Sequence, residues 1–96
     1  MARNQGVKLD GVLRCNTPEQ AAKVRAALPE HIRLTRAEPN CISFEVVPTD
    51  DPLVWQVAEE FTDAEAFKLH QTRTAASSWA EQTADIAREY TVTGLE

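Results

Sequence analysis

The stretch EVVPTDDPLVWQVAEEFTDAEAFKLHQTRT, residues 45–74, decides the fold. Its first residues close an alternating run, CISFEVV, that reads as a strand with Ile42, Phe44 and Val46 on one face and Cys41, Ser43 and Glu45 on the other. PTDDP is a connection rich in turn formers. LVWQVAEEF is a second strand, with Trp55, Val57, Glu59 and Phe61 sharing one face. Thr62, with Glu65 three residues on, has the spacing of a capping box and predicts a helix that carries Ala66, Phe67 and His70 on one side.

Upstream, residues 7–15, VKLDGVLRC, alternate as a half-exposed strand with Val7, Leu9, Gly11 and Leu13 on one face. Thr17, Pro18 and Gln20 form an N-terminal helix signature, and Ala21, Val24 and Leu28 form its stripe. Pro29 predicts an end or kink near residue 28, followed by a short second turn through EHIRLTRA with Ile32 and Leu34 inward. Residues 38–41 read as a turn in which Asn40 tolerates a left-handed backbone. Downstream, Ala76, Trp79, Ala80, Thr83 and Ile86 predict a helix over about 75–87, and REYTVTG a closing strand.

The order is β-α-β-β-α-β, the second helix in two pieces. This is the ferredoxin-like split-βαβ order: an α+β fold with a four-stranded antiparallel sheet and helices on one face. The bare sheet face predicts that two protomers cover one another. Ninety-six residues, 43% of them hydrophobic, fit one domain with a core of about 7–94. A net charge of −5 without a basic run argues against nucleic acid and anionic membranes. Cys15 and Cys41 lack metal-ligand spacing, and no His-Glu pair has zinc-site spacing. No signal-peptide core opens the chain and no apolar run approaches the roughly 20 residues of a membrane span, so a soluble cytoplasmic protein is expected.

LTRAEPNCISFEV and WQVAEEFTDAEAFKLHQTRT together resemble the antibiotic biosynthesis monooxygenase family, through Glu38, Pro39, Asn40 and Cys41, then Glu59, Phe61, Asp63, Ala66, Phe67 and His70. Two departures are Asn40, where the family favours glycine, and Phe61, where Trp or Tyr is commoner and could donate a hydrogen bond. The resemblance implies a dimeric α+β barrel and the oxidation of a quinol or polycyclic phenol by O2, without flavin, haem or metal.

Such chemistry needs a base, a pocket that excludes water and donors for a developing oxyanion. His70 is the candidate base, with Glu59 to orient it or take the proton. Trp55, Phe61, Phe67 and Trp79 are candidates to sandwich a planar ring, and Arg73 or Ser77 to steady an oxygen. Each has a plainer reading: His70 as a bridge between helix and strand, Glu59 as half of a structural ion pair, the aromatics as core, Glu38 to Cys41 as a turn. The alternative function is a non-catalytic module of the same fold that binds a small aromatic molecule or serves as a dimeric interaction unit.

Overall fold

The computed structural model describes residues 6–95. Residues 1–5, part of the segment read above as lacking a signal-peptide core, lie outside them. The described elements are β1 (Val7–Arg14), α1 (Pro18–Arg36), β2 (Cys41–Pro48), β3 (Val54–Phe61), α2 (Ala64–Ala75), α3 (Ser78–Gln82) and β4 (Ala87–Thr93). The sheet order is β2-β3-β1-β4, with every neighbour antiparallel. The expected ferredoxin-like α+β architecture is therefore present.

The period-2 alternation of the strands sets the layers. Val7, Leu9 and Leu13, Phe44 and Val46, and Trp55, Val57 and Phe61 are buried in one core with Ala21, Val24 and Leu28 of α1 and Phe67 of α2. The opposite sheet face is open and mostly polar: Lys8, Asp10, Glu45, Gln56, Glu89 and Thr91 are exposed. There the Arg14 guanidinium donates from Nε and Nη2 to Glu89 at 3.0 and 3.1 Å. Half-buried Val12 and Ala58 interrupt the polar surface.

Four local readings are corrected. First, α1 runs through Pro29 without ending. A proline inside a helix removes one hydrogen bond, yet the second half of α1 buries His31 and Thr35 on the stripe begun by Ala21, Val24 and Leu28. Tertiary packing outweighs the local break. Second, Asp63, not Thr62, caps α2; its Oδ1 accepts from the Ala66 N–H at 2.9 Å. Third, Asn40 is not left-handed, since no non-glycine residue among those described has positive φ. The turn is instead closed by Cys41 N–H to Glu38 O and Thr62 N–H to Asn40 O, at 3.2 and 3.1 Å. Fourth, the register shifts between Cys41 and Ser43, which turns Ile42 out to 56% exposure instead of into the core.

The expected helix over 75–87 is helical only at 78–82. Ser77 restarts it as an N-cap, and Thr83 closes it by donating from Oγ1 to Trp79 O at 2.7 Å. Arg88 then ties the following turn to β4 through Thr83 O and Ile86 O.

Gly11 lies between β3 and β4, opposite Val57 and Tyr90. A Cβ there would lie 2.8 Å from both the Tyr90 Cα and its ring, so only glycine allows β4 to come this close and Tyr90 to lie across β1. Gly11→Ala is expected to lower stability by about 1–3 kcal/mol, read as a lower urea midpoint at unchanged slope.

Candidate functional site

The site lies between the helices and the sheet. His70 comes from the buried stripe of α2, two turns beyond its Asp63 cap, and is 2% exposed. Glu59 comes from the core face of β3, the face it shares with Val57 and Phe61, and is 9% exposed. His70 Nε2 and Glu59 Oε1 are 3.8 Å apart. Both residues line a cavity of about 60 Å³ with His31, Thr74, Trp79 and Tyr90.

Glu38 holds the other side of the imidazole. It opens the turn after α1, and its carboxylate lies 3.1 to 3.2 Å from His70 Nδ1. The Arg73 guanidinium, one helical turn beyond His70, donates from Nε to the same carboxylate at 2.5 Å and from Nη2 to Thr35 Oγ1 at 2.9 Å. A carboxylate only accepts, so Nδ1 carries the imidazole hydrogen and Nε2 presents its lone pair towards the cavity. The nearest hydrogen-bonding group to Nε2 is the Thr74 hydroxyl, at a long 3.4 Å.

Burial sets the charges. It pushes the His70 pKa down against the pull of the Glu38 carboxylate, so the ring is neutral near pH 7 and able to accept a proton. Burial also raises the Glu59 carboxyl to about 7, with the Glu38 charge adding to the effect. Glu59 Oε1 is buried without a hydrogen-bond partner among the described residues. Burial raises the Tyr90 phenol to about 12, so it stays protonated.

The other candidate residues divide. Phe61 packs its ring 4.9 Å from that of His70, and Phe67 stands behind Phe61 at 5.8 Å. Trp79 lines the small cavity. Arg73 reaches the site through Glu38 and forms, with Glu38, Cys41 and Phe61, the wall of a second cavity of about 240 Å³. Ser77 is engaged in capping: its hydroxyl donates to Thr74 O at 2.6 Å and accepts from Ala80 N–H at 3.2 Å. Trp55 is not brought to the site. It lies four residues along β3 from Glu59, roughly 13 Å of strand, beside Leu28, Pro29 and Pro48.

Two residues of the site were given no chemical role in the sequence. In the sequence Glu38 reads as part of a turn, and its partners lie 32 and 35 positions away. His31 lies beyond Pro29, where the helix was expected to break. Its ring stacks on Trp79 at 4.5 Å and lies 6.2 Å from that of His70. The signal that could have found it is its i+3 position after Leu28 on the apolar stripe of α1. Among the described residues no group of three or more His, Cys, Asp or Glu is placed to hold a metal. None of their helices is long and apolar enough to cross a membrane.

The sequence model of the family described as Antibiotic biosynthesis monooxygenase matches residues 15–82. The chain belongs to this family. The match takes in α1, Glu38, Glu59, His70, Arg73 and Trp79. Solved structures of similar fold include three antibiotic biosynthesis monooxygenase family relatives or oxygenases. A candidate family enzyme from Nitrosomonas europaea superposes with a TM-score of 0.81 at 17% identity, covering 98% of this chain and 93% of that one. Another from Chloroflexus aurantiacus gives 0.74 at 23%, covering 95% and 93%. SnoaB, a cofactor-independent oxygenase from Streptomyces nogalater, gives 0.78 at 11%, covering 96% and 94%. At these identities the likeness is one of fold. No curated protein matches the chain.

Proposed function

We propose that this antibiotic biosynthesis monooxygenase family member is a cofactor-independent monooxygenase that oxidises a small quinol with O2, acting as a homodimer. The observation that carries the reading is the buried His70, held by Glu38 at Nδ1 and turned with Nε2 towards a small cavity. A neutral imidazole in that setting is a base whose conjugate acid already has a carboxylate beside it, as the orienting acid of a catalytic triad supports its histidine.

The substrate O–H gives its proton to His70 Nε2, and Glu38 stabilises the imidazolium that forms. The ring anion then reduces O2. The substrate supplies all the electrons: the ring gains one oxygen atom and ends as a hydroxyquinone, while the other oxygen leaves as water. Protonated Glu59, 3.8 Å from Nε2, offers a hydrogen bond to the developing oxyanion.

Size favours one ring over several. An apolar cavity of about 150 Å³ accommodates benzene, and the cavity here is about 60 Å³. Even a single ring requires its wall to give. His31 and Trp79, which line the small cavity, also line a groove of about 290 Å³ between α1 and α3.

A second reading is a binding module of the same fold. Phe61 favours it, because it supplies no hydrogen bond where the family favours Trp or Tyr. Oxygen uptake by metal-stripped protein, measured against a panel of hydroquinones, anthrones and naphthols, tests the choice. Uptake above autoxidation, largest for the one-ring hydroquinones, is expected. Ligand binding with no uptake by any of the panel would leave the binding module. The homodimer is supported by the open sheet face and is checked by light scattering at micromolar concentration, where a mass near twice 10.7 kDa is expected.

A further inference from the structure

We propose that His31 is a specificity-determining residue of this cavity: its Nδ1 hydrogen-bonds a second polar group of the ligand, the first being held by Glu59 and His70. The inference rests on the reading of the site as one for a small oxygenated ring, and it adds a residue that the proton chemistry does not use.

Three observations carry it. Among the described residues, two buried side-chain atoms have no hydrogen-bond partner: Glu59 Oε1 and His31 Nδ1. Both residues line the same cavity. Buried polar groups are nearly always paired, so two orphans on residues that line one space point to a ligand with two polar groups. A ligand with one such group would leave one orphan unsatisfied.

The second observation is orientation. The His31 ring is stacked on Trp79 with 3° between planes, and Phe44 meets its edge at 5.2 Å and 86°. The imidazole is fixed before a ligand arrives, and a fixed partner discriminates better than a mobile one. The third is position. Residue 31 continues the buried stripe of Ala21, Val24 and Leu28, where an apolar side chain would fill the same place without burying a polar atom. At 4% exposure His31 is part of the core in every respect except its chemistry. Burial, the neighbouring His70 and the charges of Arg73 and Arg88 hold its pKa down to about 3, so it stays neutral. A neutral ring nitrogen pairs with a neutral hydroxyl or carbonyl oxygen without bringing a charge into the cavity. The ligand class is therefore a ring with two oxygen functions.

The test compares hydroquinone with 4-methylphenol, a ring of similar size with one oxygen fewer. Affinities are measured by equilibrium titration under nitrogen, which separates binding from turnover, on the native protein, His31→Phe and His31→Gln. The native protein is expected to bind hydroquinone about tenfold more tightly than 4-methylphenol. His31→Phe keeps an aromatic ring against Trp79 and is expected to abolish the preference for hydroquinone over 4-methylphenol. His31→Gln retains a hydrogen-bonding group and is expected to keep part of the preference; it also serves if the Phe variant does not fold. The same preference in native protein and in the variants overturns the assignment, as does a native protein that binds both compounds equally or neither. If the preference holds under nitrogen but no oxygen is taken up in air, the oxygenase reading fails and His31 stands.

Discussion

Glu59→Gln is expected to stabilise the protein progressively, relative to the native chain, as pH rises from 4 to 8. Burial raises the carboxyl to about 7 in the folded state, against an ordinary value of 4.5. Between those values the folded protein binds the proton and the unfolded chain releases it, so the contribution of Glu59 to stability falls as pH rises. Its favourable part is complete below pH 4.5 and is lost on passing through pH 7. At about 1.4 kcal/mol per pH unit, the window corresponds to about 3 kcal/mol. The amide does not ionise, so the gap between variant and native protein isolates the carboxyl.

The comparison with the variant matters because the histidines act in the opposite direction. His31 is lowered to about 3 and His70 is also lowered, so both contribute stability above the usual imidazole range and lose it as pH falls through their folded values. In the native protein alone these slopes offset that of Glu59 between about pH 4.5 and 6.5. Urea unfolding of both proteins at pH 4, 6 and 8 gives the difference directly. A difference independent of pH would mean that Glu59 is ionised and solvated in the folded state.

The second large effect is expected for His70→Ala, which should reduce quinol-dependent oxygen uptake by about 10²- to 10⁴-fold, the usual contribution of a positioned base. Thermal unfolding would show the fold retained, because Glu38 keeps Arg73 as a partner when the imidazole is gone. Turnover close to native in a folded His70→Ala protein would remove the imidazole from the mechanism and leave His70 a structural role, tying α2 to the turn after α1 through Glu38.

The element order and most of the core-facing residues were legible because they depend on local spacing. Thr17 and Gln20 announced α1, and the alternation of β3 placed Trp55, Val57, Glu59 and Phe61 on one buried face. The same alternation does not say how far along the sheet a cavity lies, so it groups Trp55 with residues at the other end of its strand. Pro29 misled because a local preference of a few kcal/mol was overridden by burial of the stripe beyond it. That error also hid His31. The alternating pattern points Ile42 inward because a bulge leaves no mark in it. Glu38 was visible as part of a motif, but its role depends on α1 and α2 meeting, and no spacing within the turn reports that contact.

The strand order has a consequence for how the chain reaches its folded state. β1 lies inside the sheet, and its hydrogen-bonding partners on both sides come from later in the chain, from residue 54 onwards in β3 and residue 87 onwards in β4. At a synthesis rate of 5–20 residues per second, β1 waits roughly 2 to 9 s before β3 begins to emerge. During that interval both edges of β1 lack the strands that pair with them in the folded sheet. A newly made chain is therefore most exposed to pairing with a neighbouring chain through the segment that ends up best protected.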